Sequence, residues 1–183
     1  MWYPFHRLER RQRGQRFLLW VVIHTAVMLT IGRANQRLVT EAAPAHIVSL
    51  ELAGTLERAR AVLASWDREQ QLFAVFGIGA DYLYIFIYGA LLAAGAAWGA
   101  AVFERGFLSR LGAWLSRALI VAGLADAVEN YAMLQLFWGE QTQGWVSLSY
   151  YCASLKFLIV VLAIVYALLT SLAAFTWRRS PRG

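Results

Sequence analysis

The sequence predicts an all-α membrane protein, a bundle of four transmembrane helices with an amphipathic helical segment between helices 1 and 2. Composition is the first reason, because 60% of the 183 residues are apolar and 15% are charged, whereas soluble domains have about 45–50% and about 25%. The second is that the apolar residues fall in four blocks, each long enough or nearly long enough to cross a bilayer core of about 30 Å. The third is that arginines flank these blocks.

The ends of the apolar blocks give the predicted boundaries of one membrane domain that covers residues 1–183. A basic cytoplasmic tail is expected at 1–16, and a second cytoplasmic tail at 178–183. The four spans are expected at 17–33, 72–103, 111–138 and 146–177. Residues 34–71 are then an extracytoplasmic helical connection, which is too long for a simple turn.

Arginine sets the predicted orientation, because loops rich in Lys and Arg stay on the cytoplasmic side. The N-terminal tail has five arginines, and the third connection has no basic residue. Three more follow the second span and three lie in the C-terminal tail: Arg105, Arg110, Arg117, Arg178, Arg179 and Arg182. Tryptophan favours both interfaces, and six tryptophans fit the same topology: Trp20, Trp98, Trp114 and Trp177 at inner ends, Trp138 and Trp145 at outer ends.

We therefore expect a multi-pass protein of a bacterial inner (cytoplasmic) membrane with both termini in the cytoplasm. Its net charge of +6 comes from tails that lie beside the membrane, where arginine attracts anionic lipid. Membrane lipids are thus the expected partners, and no nucleic acid is needed to explain the charge. A homo-oligomer or a larger membrane complex is left open.

The connection 34–71 carries the signals of two short helices. Pro44 suits the first turn of a helix over Ala45–Ala53 that ends at Gly54. Thr55 is expected to cap a second helix. The apolar residues of that helix share one face: Leu56, Ala59, Val62, Leu63 and Trp66. Such a helix would lie at the outer interface or cap the bundle, and a plain linker with surface helices is the alternative.

Every apolar block contains an ionisable residue, and such residues are costly within a membrane. They are His24 in the first block, Asp81 in the second, Asp126 with Glu129 in the third and Lys156 in the fourth. Counted from the predicted outer ends, His24, Asp81, Glu129 and Lys156 all lie roughly 13–15 Å deep. We expect them to meet in one buried polar cluster.

Helical spacing sharpens this expectation, because residues three and four apart share a face. Asp126, Glu129 and Asn130 share one face, and Asp81 shares another with Tyr84 and Tyr88. With His24 neutral, Asp81, Asp126, Glu129 and Lys156 sum to −2. That charge requires a bound proton, a protonated His24, or a cation or cationic ligand. The alternative is that these polar residues only hold the helices together.

Four segments resemble an uncharacterised family of small bacterial four-helix integral membrane proteins. The resemblance rests on Ser49–Trp66, Asp81–Tyr88, Ala125–Asn130 and Lys156–Phe157. Its most specific feature is the Asp126-x-x-Glu129-Asn130 motif in the third helix with a Lys in the fourth. The resemblance implies that Glu51 belongs with Asp81, the motif and Lys156. It supplies no activity.

Three functions remain open from the sequence. The first is binding or transport of a small amphiphile, a cation or a proton at Asp81, Asp126, Glu129, Asn130, Lys156, His24, Glu51, Tyr84 and Tyr88. The second is an intramembrane enzyme that modifies a lipid or isoprenoid by carboxylate acid–base chemistry. The third is an accessory structural subunit of a membrane complex. The sequence names no cofactor, and no metal site is assigned to it.

Overall fold

The computed structural model describes residues 3–103 and 106–179, and for 30–35 and 175–179 it describes the backbone alone. The chain is 82% helix without strands in this described part, which confirms the all-α prediction. Two of the arginines used to predict the topology, Arg105 and Arg182, lie outside the described residues. The side chains of Trp177, Arg178 and Arg179, also used for that prediction, lie outside the described part as well.

Each apolar block is helical. The described elements, in chain order, are α1 (Arg10–Asn35), a 3₁₀ turn (Gln36–Leu38), α2 (Val48–Glu51), α3 (Leu56–Ser65), α4 (Arg68–Val102), α5 (Phe107–Phe137) and α6 (Gln143–Arg179). Among the described residues, three helical stretches are long and apolar enough to span a membrane: Arg68–Val102, Phe107–Phe137 and Gln143–Ala174. Helix α1 is not one of them. It begins at Arg10 rather than at residue 17, so several arginines of the predicted tail are helical.

The chain forms two compact units. The first unit comprises Met1–His24, Ile87–Ala122 and Phe157–Gly183, and the second comprises Thr25–Phe86 and Gly123–Lys156. Helices α1, α4, α5 and α6 each contribute residues to both units. Each unit is described separately.

The second unit has a core that includes the whole connection after α1. The predicted apolar face of α3 is buried there through Ala59, Val62 and Leu63, and Trp66 is buried directly after the helix. This face packs with Ala74 and Ile78 of α4, Met133 and Leu136 of α5 and Val146 of α6. The connection is therefore a folded cap on these helices, stabilised by the apolar area it removes from solvent.

Hydrogen bonds fix the cap in place. Thr55 caps α3 as predicted, because its hydroxyl accepts from the backbone N–H of Arg58 at 3.3 Å. The buried indole of Trp66 donates to the carbonyl oxygen of Leu38 at 2.8 Å. Gln143 accepts from the N–H of Leu56 at 2.8 Å and donates to the carbonyl oxygen of Gly54 at 3.0 Å. Both ends of α3 are thereby tied to neighbouring segments.

The first helix of the connection is shorter than predicted. It covers Val48–Glu51 instead of Ala45–Ala53. His46 has a φ of 48°, a left-handed conformation that cannot continue a right-handed helix. The helix therefore begins only after His46, although Gly54, with a φ of 70°, lies just beyond its end as expected.

The first unit is packed through small residues. Five alanines of α4 are buried: Ala93, Ala94, Ala96, Ala97 and Ala100. A Cβ added to Gly112 of α5 would lie 2.7 Å from the carbonyl oxygen of Ala96. Small residues allow helix backbones to approach this closely, as is common in membrane proteins.

Arg13 has a structural role that the prediction of a basic tail did not include. Its guanidinium donates to the carbonyl oxygens of Leu8 at 2.7 Å, His6 at 2.7 Å and Ala97 at 3.0 Å. It also donates to the Tyr3 hydroxyl at 2.8 Å. The segment before α1 is therefore folded onto the first unit.

Replacing Gly112 by alanine is expected to destabilise the protein by about 1–3 kcal/mol, because the new methyl group overpacks the contacts with the Ala96 carbonyl oxygen of α4 and the Tyr166 ring of α6. The free energy of unfolding in a mild detergent would measure this. Gly89→Ala is the matched control, since nothing lies within 4 Å of a Cβ at Gly89, and alanine should leave stability equal or higher there. Equal stability of the two variants would contradict the close packing of α4 and Tyr166 around Gly112.

Candidate functional site

Lys156 of α6 lies at the centre of a group of carboxylates in the second unit. Its Nζ donates to Asp126 Oδ1 and to Glu129 Oε1, each at 3.0 Å. It is also 2.9 Å from Glu129 Oε2, an ionic contact without hydrogen-bond geometry. All three side chains are buried, and Glu129 is 0% exposed. The ion pairs are thus shielded from solvent and satisfy much of each charge.

Glu51 of α2 brings a third carboxylate to the same lysine. Its Oε2 is 3.6 Å from Lys156 Nζ, which is too long for a hydrogen bond. The residue is 8% exposed, and this oxygen has no hydrogen-bond partner among the described residues. Glu51 therefore has an ionic contact with Lys156 but a buried Oε2 that accepts no hydrogen bond, and a buried charge in this condition is costly.

Asp81 of α4 is joined to the group through Asn130. The side-chain amide of Asn130 donates to Asp81 Oδ2 at 2.8 Å. Asn130 is buried, whereas Asp81 is half-buried. The neutral amide orients this carboxylate without neutralising it, so an ionised Asp81 would add a further negative charge.

A cavity of about 100 Å³ opens beside the carboxylates. Its polar lining consists of Glu51, Asp81, Asn130 and Tyr84, and the remaining lining residues are apolar, Met28 and Met133 among them. The Tyr84 hydroxyl donates to the Met28 sulfur at 2.7 Å. The cavity is therefore lined on one side by two carboxylates that accept no hydrogen bond from Lys156, and elsewhere by apolar side chains.

The structure brings together seven of the nine predicted site residues in the second unit. Asp126, Glu129, Lys156 and Glu51 form the ionic group, and Asp81, Asn130 and Tyr84 line the adjacent cavity with Glu51. His24 and Tyr88 belong to the first unit, where His24 is half-buried and Tyr88 is buried. Among the described residues, no group of three or more His, Cys, Asp or Glu is arranged to hold a metal ion.

Local sequence explains how the site is assembled. The spacing of Asp126, Glu129 and Asn130 places all three on one face of α5, and all three are buried. Glu51 is different, because it lies in the connection, where helical periodicity cannot say which helix it will face. Only the resemblance pointed to it, although an acid within the apolar run of residues 47–53 was a signal. The apolar cavity wall, including Leu38 and Ile47, was not foreseen.

The group has a formal charge of −3 if Glu51, Asp81, Asp126 and Glu129 are ionised and Lys156 is charged. Charge of this size in a low-dielectric interior calls for bound protons or a cation. The arrangement can therefore attract a cation, exchange it for protons and hold it by carboxylate contacts. Comparison with protein-family models, curated proteins and solved structures gives no match for the chain.

Replacing Lys156 by methionine is expected to destabilise the protein by about 3–5 kcal/mol near neutral pH, since it leaves buried carboxylates without their cation. The loss should shrink as the pH falls, because protonated carboxyls no longer repel one another. Adding Glu129→Gln to this variant should recover part of the loss for the same reason. Melting temperatures in a mild detergent across a pH series would measure these effects.

Leu155→Met is the matched control, because Leu155 is on the same helix and is 43% exposed. It should leave the melting temperature nearly unchanged. A Lys156→Met protein as stable as this control near neutral pH would mean that the ionic group does not hold α5 and α6 together.

Proposed function

We propose that the chain is a multi-pass inner-membrane protein that binds a small amphiphilic cation at the cavity beside Glu51 and Asp81. The cation replaces bound protons at these carboxylates. Lys156 holds the neighbouring Asp126 and Glu129 and does not contact the ligand. The observation that carries this proposal is the buried Oε2 of Glu51, which accepts no hydrogen bond among the described residues although it lies beside a cavity.

Three helices of sufficient length and apolarity support the membrane location. A fourth crossing by α1 is supported by its surface, where large apolar side chains are exposed: Leu18, Leu19, Val22, Met28 and Leu29. Soluble proteins rarely expose extended apolar patches. With four crossings, the excess of Arg in the tails favours a topology with both termini in the cytoplasm.

Cation binding is favoured by how unevenly the charges are compensated. Asp126 and Glu129 each accept a hydrogen bond from Lys156. Glu51 and Asp81 accept none from lysine, and both face the cavity. A ligand that brings a positive charge and N–H donors would supply what these two carboxylates lack.

The cavity also limits the size and polarity of the ligand. A volume of about 100 Å³ gives room for roughly seven to ten water-sized atoms at 10–15 Å³ each. The cavity wall that includes Met28 and Met133 is largely apolar. A short hydrocarbon chain of the ligand therefore fits there, while the charged group of the ligand lies at the carboxylates. A primary amine with a short alkyl tail matches both features better than a bare metal ion, which would leave the apolar wall unused.

Hexylammonium is expected to bind and to raise the melting temperature of the detergent-solubilised protein, because a ligand that binds only the folded state stabilises it. Hexanol, which lacks the charge, should not. Protons should be released in weakly buffered solution when hexylammonium is added. Calorimetric titration, thermal melts and a pH electrode would measure these three effects.

Glu51→Gln separates binding from structure. The variant should lose most hexylammonium binding, yet keep or raise the melting temperature, because it removes a buried carboxylate that accepts no hydrogen bond, at nearly constant volume. Glu57→Gln is the matched control, since Glu57 is exposed on the adjacent helix and does not line the cavity; it should bind normally. Unchanged binding by Glu51→Gln would rule out the proposed site.

A further inference from the structure

The first unit contains a second cavity, a groove of about 750 Å³ between α1, α4 and α6. Its lining changes character along α1, from Arg10 and Arg11 at one end to Phe17 and Leu18 at the other. Trp98 of α4 and Ala174 of α6 also line the groove. The groove therefore has a cationic end and an apolar end.

The two arginines at the cationic end are not compensated within the described structure. Both are exposed, and neither is within 4.0 Å of a described carboxylate. The contrast with Arg13, whose guanidinium donates four hydrogen bonds, is clear. The first unit contains only two acidic residues, Glu9 and Glu104, and Glu104 lies outside the described residues. An anion from outside the chain is the natural complement of this end.

The apolar end is suited to hydrocarbon. Leu18 is 64% exposed, and Phe17 stacks on Trp98 with ring centroids 5.6 Å apart. The indole N–H of Trp98 makes no hydrogen bond with any described residue, and tryptophan at such a position favours the boundary between headgroups and acyl chains. Arg11 and Leu18 are seven residues apart on α1, which separates them by roughly 10 Å along the axis.

We propose that this groove binds an anionic phospholipid, with its phosphate at Arg10 and Arg11 and an acyl chain along Phe17, Leu18 and Ala174. Arginine suits this role because its planar guanidinium matches phosphate geometry with paired hydrogen bonds. The separation between Arg11 and Leu18 allows one lipid molecule to contact Arg11 with its headgroup and Leu18 with its acyl chain. This site is independent of the acidic cavity in the second unit.

Native mass spectrometry of the full chain tests the proposal. The protein is released from mixed micelles that contain equal amounts of phosphatidylglycerol and phosphatidylcholine, which have similar acyl chains. Phosphatidylglycerol should be retained about tenfold or more in preference to phosphatidylcholine, because two arginines beside an anionic headgroup contribute together. Arg10→Gln with Arg11→Gln should lose this preference, and both positions are exposed, so the fold should be kept.

The matched control is Arg7→Gln with Arg110→Gln. It removes the same charge from two other exposed residues of the first unit, neither of which lines the groove, and should retain the preference. Equal loss in both double variants would indicate general charge attraction and overturn the site. Retained preference in the Arg10 and Arg11 variant would also overturn it. So would displacement of phosphatidylglycerol by inorganic phosphate alone, because the acyl chain would then contribute nothing.

Discussion

The structure of the second unit depends on one ammonium group placed among carboxylates. Lys156 of α6 contacts Asp126 and Glu129 of α5 at about hydrogen-bond distance and Glu51 of α2 at 3.6 Å. An unpaired charge in such an interior costs several kcal/mol. Helices α5 and α6 are therefore held in the register that joins Lys156 to α5. The cap that carries Glu51 packs beside Lys156. The cavity lies next to this contact, since Glu51 is one of its lining residues.

Polar residues within membrane helices can serve packing or ligand binding, and the proposed function assigns the two roles to different residues. Asp126 and Glu129 are hydrogen-bonded to Lys156, which is the contact that packing of α5 against α6 requires. Glu51 and Asp81 line the cavity, and packing does not account for their charge. A buried carboxylate without a hydrogen bond weakens the folded state. Its presence is easier to understand as a binding group than as a stabilising one.

The sequence predicted those features that depend on local periodicity. The faces of α3 and α5 were correct, because residue spacing alone determines which side chains share a helix face. The predicted span at 17–33 lies within α1, whose helix begins seven residues earlier at Arg10, since hydropathy marks the apolar run and not the whole helix. The shortened α2 followed from the backbone of His46, which no pattern reveals. The contact of Glu51 with Lys156 is tertiary, and spacing within one helix cannot predict it.

Charge is divided unequally between the two units, and this division underlies both proposed sites. The first unit contains 11 of the 17 basic residues and two of the 11 acidic ones, whereas the second contains six basic residues and nine acidic ones. Arginines gathered at the ends of membrane helices favour the cytoplasmic side and its anionic lipids. Acids gathered in the other unit favour a cation. The excess of basic residues in the first unit therefore supports the lipid site proposed there, and the excess of acidic residues in the second unit supports the proposed cation site.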